Sequence, residues 1–200
     1  MTKIKFCGLK TLDDIFAANE IFPEYVGIVF APNSKRYVTP DQAEKLRAAL
    51  SKKILAVGVF VNEEINIVAK LLNEGIIDIA QLHGGETDAY IQILRAKTNK
   101  PIIKSFNHHH IEDANQSLGD YVMIDSGRGS GKAFNWNLLK DFQREYFLAG
   151  GLSIKNVGYA IERLHPFAVD VSSGIETDGR KDFGKMKAFA EAVRKDFFYD

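Results

Sequence analysis

The feature that most constrains this chain is a rhythm of short apolar runs, rich in β-branched and aromatic residues. They recur about every 20–30 residues: Lys3–Phe6, Tyr25–Phe30, Ile54–Phe60, Ile77–Leu82, Pro101–Ser105, Tyr121–Asp125, Tyr146–Ala149 and Phe167–Val171. Several are nearly continuous (Val26, Ile28, Val29, Phe30; Leu55, Val57, Val59, Phe60), as expected of strands covered on both faces in a parallel sheet. Helix-length segments with start and stop signals separate most of them. Thr11 and Asp14 have capping-box spacing, and Thr39-Pro40-Asp41 places Pro in a first turn. Asn62-Glu63-Glu64 is expected to cap Ile65–Leu72, which stops at Gly75. Ser153 is positioned to cap the segment containing Val157, and Asp182 the one containing Met186. A helix is also expected near Ile111–Leu118. Eight strands with eight mostly helical connections predict an α/β fold, a (β/α)₈ TIM barrel, with an open doubly wound sheet as the alternative. Eight units favour closure.

No Ser/Gly/Pro-rich linker interrupts the pattern, so residues 1–200 are expected to form a single domain. A chain of 200 residues buries about 70% of its unfolded surface and needs no disulfide or metal staple. Lys and Arg (26) balance Asp and Glu (26), so no field of one sign is available for nucleic acid or an anionic membrane. Any anion must be held by a local arrangement. The one cysteine, Cys7, excludes an internal disulfide framework and fits a reducing compartment. No apolar run reaches membrane-spanning length and no secretory signal opens the chain, so a soluble, cytoplasmic protein is expected.

In such a barrel the chemistry sits at the C-terminal strand ends. Those positions present Cys7-Gly8, Ser34-Lys35-Arg36, Gln81-Leu82-His83-Gly84, Asp125, Gly150-Gly151 and Asp170-Val171-Ser172-Ser173-Gly174. Gly150 and Gly151, with Ser172, Ser173 and Gly174, allow backbone N–H groups to approach an anion after strands seven and eight. A short helical turn near Ser173 would assist, and the pair together points to a phosphate monoester. Cys7 is either a small buried hydrophobe or, at a strand end, a base or nucleophile. Asp125 ends an apolar strand, where a carboxylate is costly unless used or paired, so the two could form an acid–base pair. Arg36 is either an exposed arginine or a fork for a substrate carboxylate. His83 could be a general base or a hydrogen-bonded strand-end residue. Lys104 is read as ending strand five. His108-His109-His110 is read as a surface loop, since adjacent residues rarely converge on one ion, and Gly127–Lys132 as a flexible active-site loop without phosphate-loop spacing.

These residues resemble the phosphoribosylanthranilate isomerase family of tryptophan biosynthesis. The resemblance runs through Lys5-Phe6-Cys7-Gly8, Ser34-Lys35-Arg36-Tyr37, Val57–Asn62, Gln81–Gly84, Asp125, Gly129–Trp136, Leu148–Leu152, Pro166–Glu176 and Gly179–Asp182. It departs in a short loop after strand six and in Asn135, where the family usually has Asp before Trp. The resemblance implies an Amadori rearrangement of N-(5-phosphoribosyl)anthranilate to the carboxyphenylamino-deoxyribulose phosphate. It makes Asp125 the general acid and Cys7 the general base. Arg36 would hold the anthranilate carboxylate, and Gly151, Ser173 and Gly174 the phosphate. His83 and Asp170 are substrate-binding candidates, Asp170 to orient the sugar. No metal or organic cofactor is implied, because the substrate nitrogen serves as electron sink. The expected partner is a small phosphosugar, with neither nucleic acid nor membrane, bound by a monomer or homodimer. Two rivals stand beside this reading. One is a sister barrel such as indole-glycerol-phosphate synthase, for which Lys104 would be the basic residue. The other is a non-catalytic phosphosugar-binding protein. Phe197-Phe198-Tyr199 could pack under the barrel or at a dimer interface.

Overall fold

A computed structural model describes residues 1–125, 139 and 142–195. Eight strands pair in parallel and in sequential order, and β8 returns to β1, closing the barrel. They are β1 (Lys3–Cys7), β2 (Tyr25–Val29), β3 (Leu55–Phe60), β4 (Ile79–Leu82), β5 (Ile102–Asn107), β6 (Tyr121–Asp125), β7 (Tyr146–Ala149) and β8 (Ala168–Val171). The helices are α1 (Leu12–Ile21), α2 (Pro40–Ala49), α3 (Ile65–Asn73), α4 (Asp88–Arg95), α5 (Ile111–Gln116), α6 (Val157–Leu164) and α7 (Phe183–Arg194). The expected barrel is therefore present, and the open-sheet alternative is not.

Side-chain caps explain the starts of three helices. Thr11 and Asp14 form a full capping box on α1, as do Thr39 and Gln42 on α2, where Pro40 takes the first helical position. Asp182 caps α7 by accepting from the Lys185 amide. Two expected caps differ. Helix α6 starts after Asn156, whose carboxamide accepts from the Ser153 amide (2.8 Å) and donates to the Gly151 carbonyl (2.9 Å). That side chain ties the turn after β7 rather than closing the helix. At α3 the capping position is Glu64, without a side-chain cap bond. Between β8 and α7 the chain makes a 3₁₀ turn (Ser173–Ile175) and a small hairpin, β9 (Glu176–Thr177) with β10 (Arg180–Lys181). The hairpin was not expected, because each of its strands is only two residues long. Seven helices are seen among the described residues. The Gly127–Lys132 loop, Asn135, Trp136 and Phe197–Tyr199 lie outside them.

Two cores position the site. A large apolar cluster fills the space between strands and helices. A smaller one lies inside the barrel and contains Tyr25, Val57, Ile79, Ile103, Met123, Phe147, Ala149 and Ala168. Phe147 meets Tyr25 edge-on at 5.3 Å, and Tyr121 stacks on Phe167 at 5.1 Å. Side chains repeat every second residue on one strand face. The inward face therefore climbs from Ile79 to Gln81, from Met123 to Asp125 and from Ala168 to Asp170. The barrel is packed with hydrocarbon below and lined with polar groups above.

Candidate active site

The C-terminal strand ends enclose a cavity of about 400 Å³. Of the ten residues the sequence nominates, nine line it: Cys7, Arg36, His83, Asp125, Gly150, Gly151, Asp170, Ser172 and Ser173. Gly174 does not. A side-chain carbon at that position would collide with the Leu152 carbonyl oxygen, so Gly174 lets the turn after β8 close against the one after β7. Both Gly150 and Gly151 have left-handed backbone (φ 90° and 65°), a conformation costly for a residue with a Cβ.

Cys7 ends β1, and its carbonyl accepts from the Ser172 hydroxyl at 3.0 Å, joining the mouths of β1 and β8. Two residues earlier on the same face is Lys5, fully buried, its ammonium donating to Asp170 at 2.6 Å. Strand register sets this pair, because Lys5 lies opposite Asp170. Gly27 pairs with Cys7 across β2, and a side-chain carbon there would sit 2.9 Å from Cys7 Sγ and 3.2 Å from Lys5 Nζ. Thiol and ammonium thus occupy the space that glycine vacates. Burial, with a smaller contribution from Asp170, holds the Cys7 thiol above its usual value, while Lys5 and, less strongly, Lys181 pull it back down. Burial alone would lower the Lys5 ammonium, but Asp170 and Cys7 outweigh it and hold Lys5 above its usual value.

Arg36 does not offer its whole fork to the cavity. Its Nε and Nη2 donate to Glu176 at 2.6 and 2.8 Å, and this pairing raises its pKa further. Lys181 donates to the same carboxylate at 2.8 Å and to the Ser172 carbonyl at 2.9 Å. Burial would raise the Glu176 carboxyl, but hydrogen bonds from Arg36 and Lys181 bring it down to about 2. Lys181, itself lowered by burial, is supported by Glu176.

His83 and Asp125 face each other, Nε2 to Oδ2 at 3.6 Å. On the other side of the ring, Gln81 Nε2 lies 3.1 Å from Nδ1 and 3.3 Å from Ser105 Oγ. Burial lowers the imidazole pKa although Asp125 opposes it. If Gln81 donates to Nδ1, the proton of a neutral ring lies on Nε2, on the side of Asp125. His83 thus stands just after β4 at the cavity wall, between Gln81 and Asp125.

Lys104 does not end its strand. It lies within β5, buried, donating to the Gly84 carbonyl (2.8 Å) and Glu86 (3.2 Å). Glu86 also accepts from the amides of Asn62 (2.6 Å) and Gly84 (2.8 Å). Lys104 is committed to holding the loops after β3 and β4. The histidine triplet behaves as a loop: the rings of His108 and His109 lie 3.9 Å apart, and His110 pairs with Asp113 at 3.0 Å. Among the described residues no cluster of three or more His, Cys, Asp or Glu side chains could hold a metal ion. No helix there is long and apolar enough to cross a membrane.

Residues 4–192 match the family model described as N-(5'phosphoribosyl)anthranilate (PRA) isomerase. The chain belongs to the phosphoribosylanthranilate isomerase family. Among family members bearing that name, the protein of Clostridium acetobutylicum is 44% identical, over 98% of this chain and 99% of its own. That of Endomicrobium trichonymphae is 40% identical over 97% and 99%. The crystal structure of phosphoribosyl anthranilate isomerase from Thermotoga maritima superposes with a TM-score of 0.88 at 34% identity, covering 96% of this chain and 98% of that one. Another structure of the isomerase, in complex with reduced 1-(o-carboxyphenylamino)-1-deoxyribulose 5-phosphate, superposes at 0.86 with 32% identity, covering 96% and 98%.

Proposed function

We propose that this cavity carries out the family's reaction in tryptophan biosynthesis, the isomerisation of N-(5'-phosphoribosyl)anthranilate, with Asp125 as general acid and Cys7 as general base. The observation that carries the reading is the convergence of Cys7, Asp125 and the turns after β7 and β8 on one cavity. Asp125 delivers a proton to the furanose oxygen as the C1–O bond breaks, and the nitrogen lone pair forms the iminium. Cys7 then removes the proton from C2, the electron pair moves toward nitrogen, and the enolamine tautomerises to the ketone. Atoms and electrons balance within the substrate, so neither an oxidant nor a reductant is required.

The backbone of Gly151 and the Ser173 turn would receive the phosphate. Gly174 contributes by closing that turn. Arg36, held through Nε and Nη2 by Glu176, would present its remaining N–H edge to the anthranilate carboxylate. Asp170, one oxygen of which is engaged by Lys5, would orient the sugar with the other. A structure of Thermotoga maritima phosphoribosylanthranilate isomerase is described as mutually generated monomers of a dimeric enzyme. We propose either a monomer or a homodimer for this chain.

Cys7→Ser and Asp125→Asn test the roles directly. Each should lower kcat by about 10²–10⁴-fold while leaving the thermal midpoint and inhibition by inorganic phosphate unchanged. Turnover is followed by substrate fluorescence, with identification of the product. A Cys7→Ser enzyme of near wild-type kcat would remove the base assignment. Arg36→Met should act mainly on KM.

A further inference from the structure

We infer that Lys5 is a positioning residue for the general base: its buried ammonium, anchored by Asp170, holds Cys7 in reach of its thiolate form. The inference rests on the proposed role of Cys7 and extends it. Lys5 interrupts an otherwise apolar strand segment, Ile4-Lys5-Phe6, yet no part of its side chain is solvent-exposed. Burying an ammonium is costly and is maintained only where a counter-charge and a hydrogen bond meet it. Asp170 supplies both at 2.6 Å. A surface-free ion pair could serve stability alone, but its placement argues otherwise. Gly27 is the neighbour on β2, and its missing side chain leaves the pocket in which Lys5 Nζ and Cys7 Sγ lie about 3 Å from the same point. An alanine there would press on both groups together.

The charged and titratable groups facing Cys7 come from several elements. They are Lys5 on β1, Asp170 on β8, Lys181 on β10 and Arg36 after β2. His83, just after β4, lies within the field of Lys5, Asp170 and Asp125. Arg36 and Lys181 are both bound to Glu176, whose single charge offsets one of theirs. Lys5 is the cation nearest the thiol in effect, and Asp170 tempers it. The thiolate so obtained remains strongly basic, because burial still acts against it, and a strong base suits removal of a proton from carbon.

The test uses the fact that the chain has one cysteine, so alkylation by iodoacetamide reports Cys7 alone. Rates are measured from pH 6 to 10 for wild type, Lys5→Met, Asp170→Asn and the double variant. Lys5→Met should slow alkylation at pH 8 by tenfold or more and move the pH profile upward. Asp170→Asn, which leaves Lys5 without its counter-charge, should move the profile downward. Lys5→Met leaves the Asp170 carboxylate without its cation, so the decisive comparison is the double variant against Asp170→Asn. Both lack that carboxylate, and the double variant should be slower by tenfold or more. Coincident profiles for these two folded proteins would overturn the inference. Alkylated wild type that still isomerises substrate would instead overturn the base assignment, whatever the profiles show.

Discussion

Glu176→Gln is the perturbation whose consequences the structure defines most closely. The glutamate is 6% exposed and accepts from Arg36, 20% exposed, and from Lys181, 3% exposed. Glutamine keeps the shape but carries no charge, and its amide nitrogen must turn toward one of the two cations. Charged hydrogen bonds each contribute about 1.5–3 kcal/mol, and stripping one partner from a buried ion pair costs about 3–5 kcal/mol. Arg36 is partly solvated, which weakens its share. A loss of about 3 kcal/mol follows, or about 6–12 °C in the thermal midpoint for a protein of this size. Arg36 also loses its anchor beside the cavity, so KM should rise by about tenfold, the equivalent of 1.4 kcal/mol, with kcat less affected.

The pH dependence has a definite sign. The Glu176 carboxyl is brought from an ordinary 4.5 down to about 2 in the folded protein. Its contribution is therefore fully present above about 4.5 and is lost as pH falls toward 2. The gap in midpoint between wild type and Glu176→Gln, read by circular dichroism, should be constant from pH 7 to 5 and narrow below that. A gap under about 1 kcal/mol at pH 7 with unchanged KM would refute the clamp. So would a gap that widens on acidification.

Gly151→Ala must adopt left-handed backbone at φ 65°, costing about 1–2 kcal/mol. Its midpoint should fall by a few degrees and its inhibition by inorganic phosphate should weaken; unaltered inhibition would count against the phosphate turn. Lys104→Met removes the counter-charge of a buried glutamate that keeps two amide donors. A loss of about 2–4 kcal/mol in chemical unfolding is expected. It should come without the 10²–10⁴-fold drop in turnover that removal of a catalytic group brings, and such a drop would revive a lyase-like role for Lys104.

What the sequence disclosed and what it hid divide along a physical line. The strands were readable because a parallel barrel buries both faces and demands continuous apolar runs. The candidate site was readable as a location because a barrel places its chemistry at strand ends, so Cys7, Asp125 and the glycines after β7 and β8 could be nominated by position alone. Two-residue period was the signal left unused. Applied to Ile4-Lys5-Phe6-Cys7, it puts Lys5 on the face of Cys7, and applied to Gln81-Leu82-His83, it puts Gln81 beneath His83. What no local pattern carries is partnership between distant segments. Glu176 and Lys181 stand in a hairpin too short to leave a periodic trace, and their meeting with Arg36 spans 140 residues for the glutamate. Lys104 misled for a related reason: a cation near a strand end suggests a site until Glu86, across a loop, is seen to claim it. The zero net charge of the chain acquires meaning here. Lys5 with Asp170 and Lys104 with Glu86 are balanced locally, while Glu176 neutralises one of the two charges of Arg36 and Lys181. On the proposed reading the cavity would meet its anion through backbone and through the edges of paired cations, and not through a basic surface. On this arrangement, raising salt from 50 to 200 mM should change KM for the phosphosugar far less than it would for a site built on unpaired lysines.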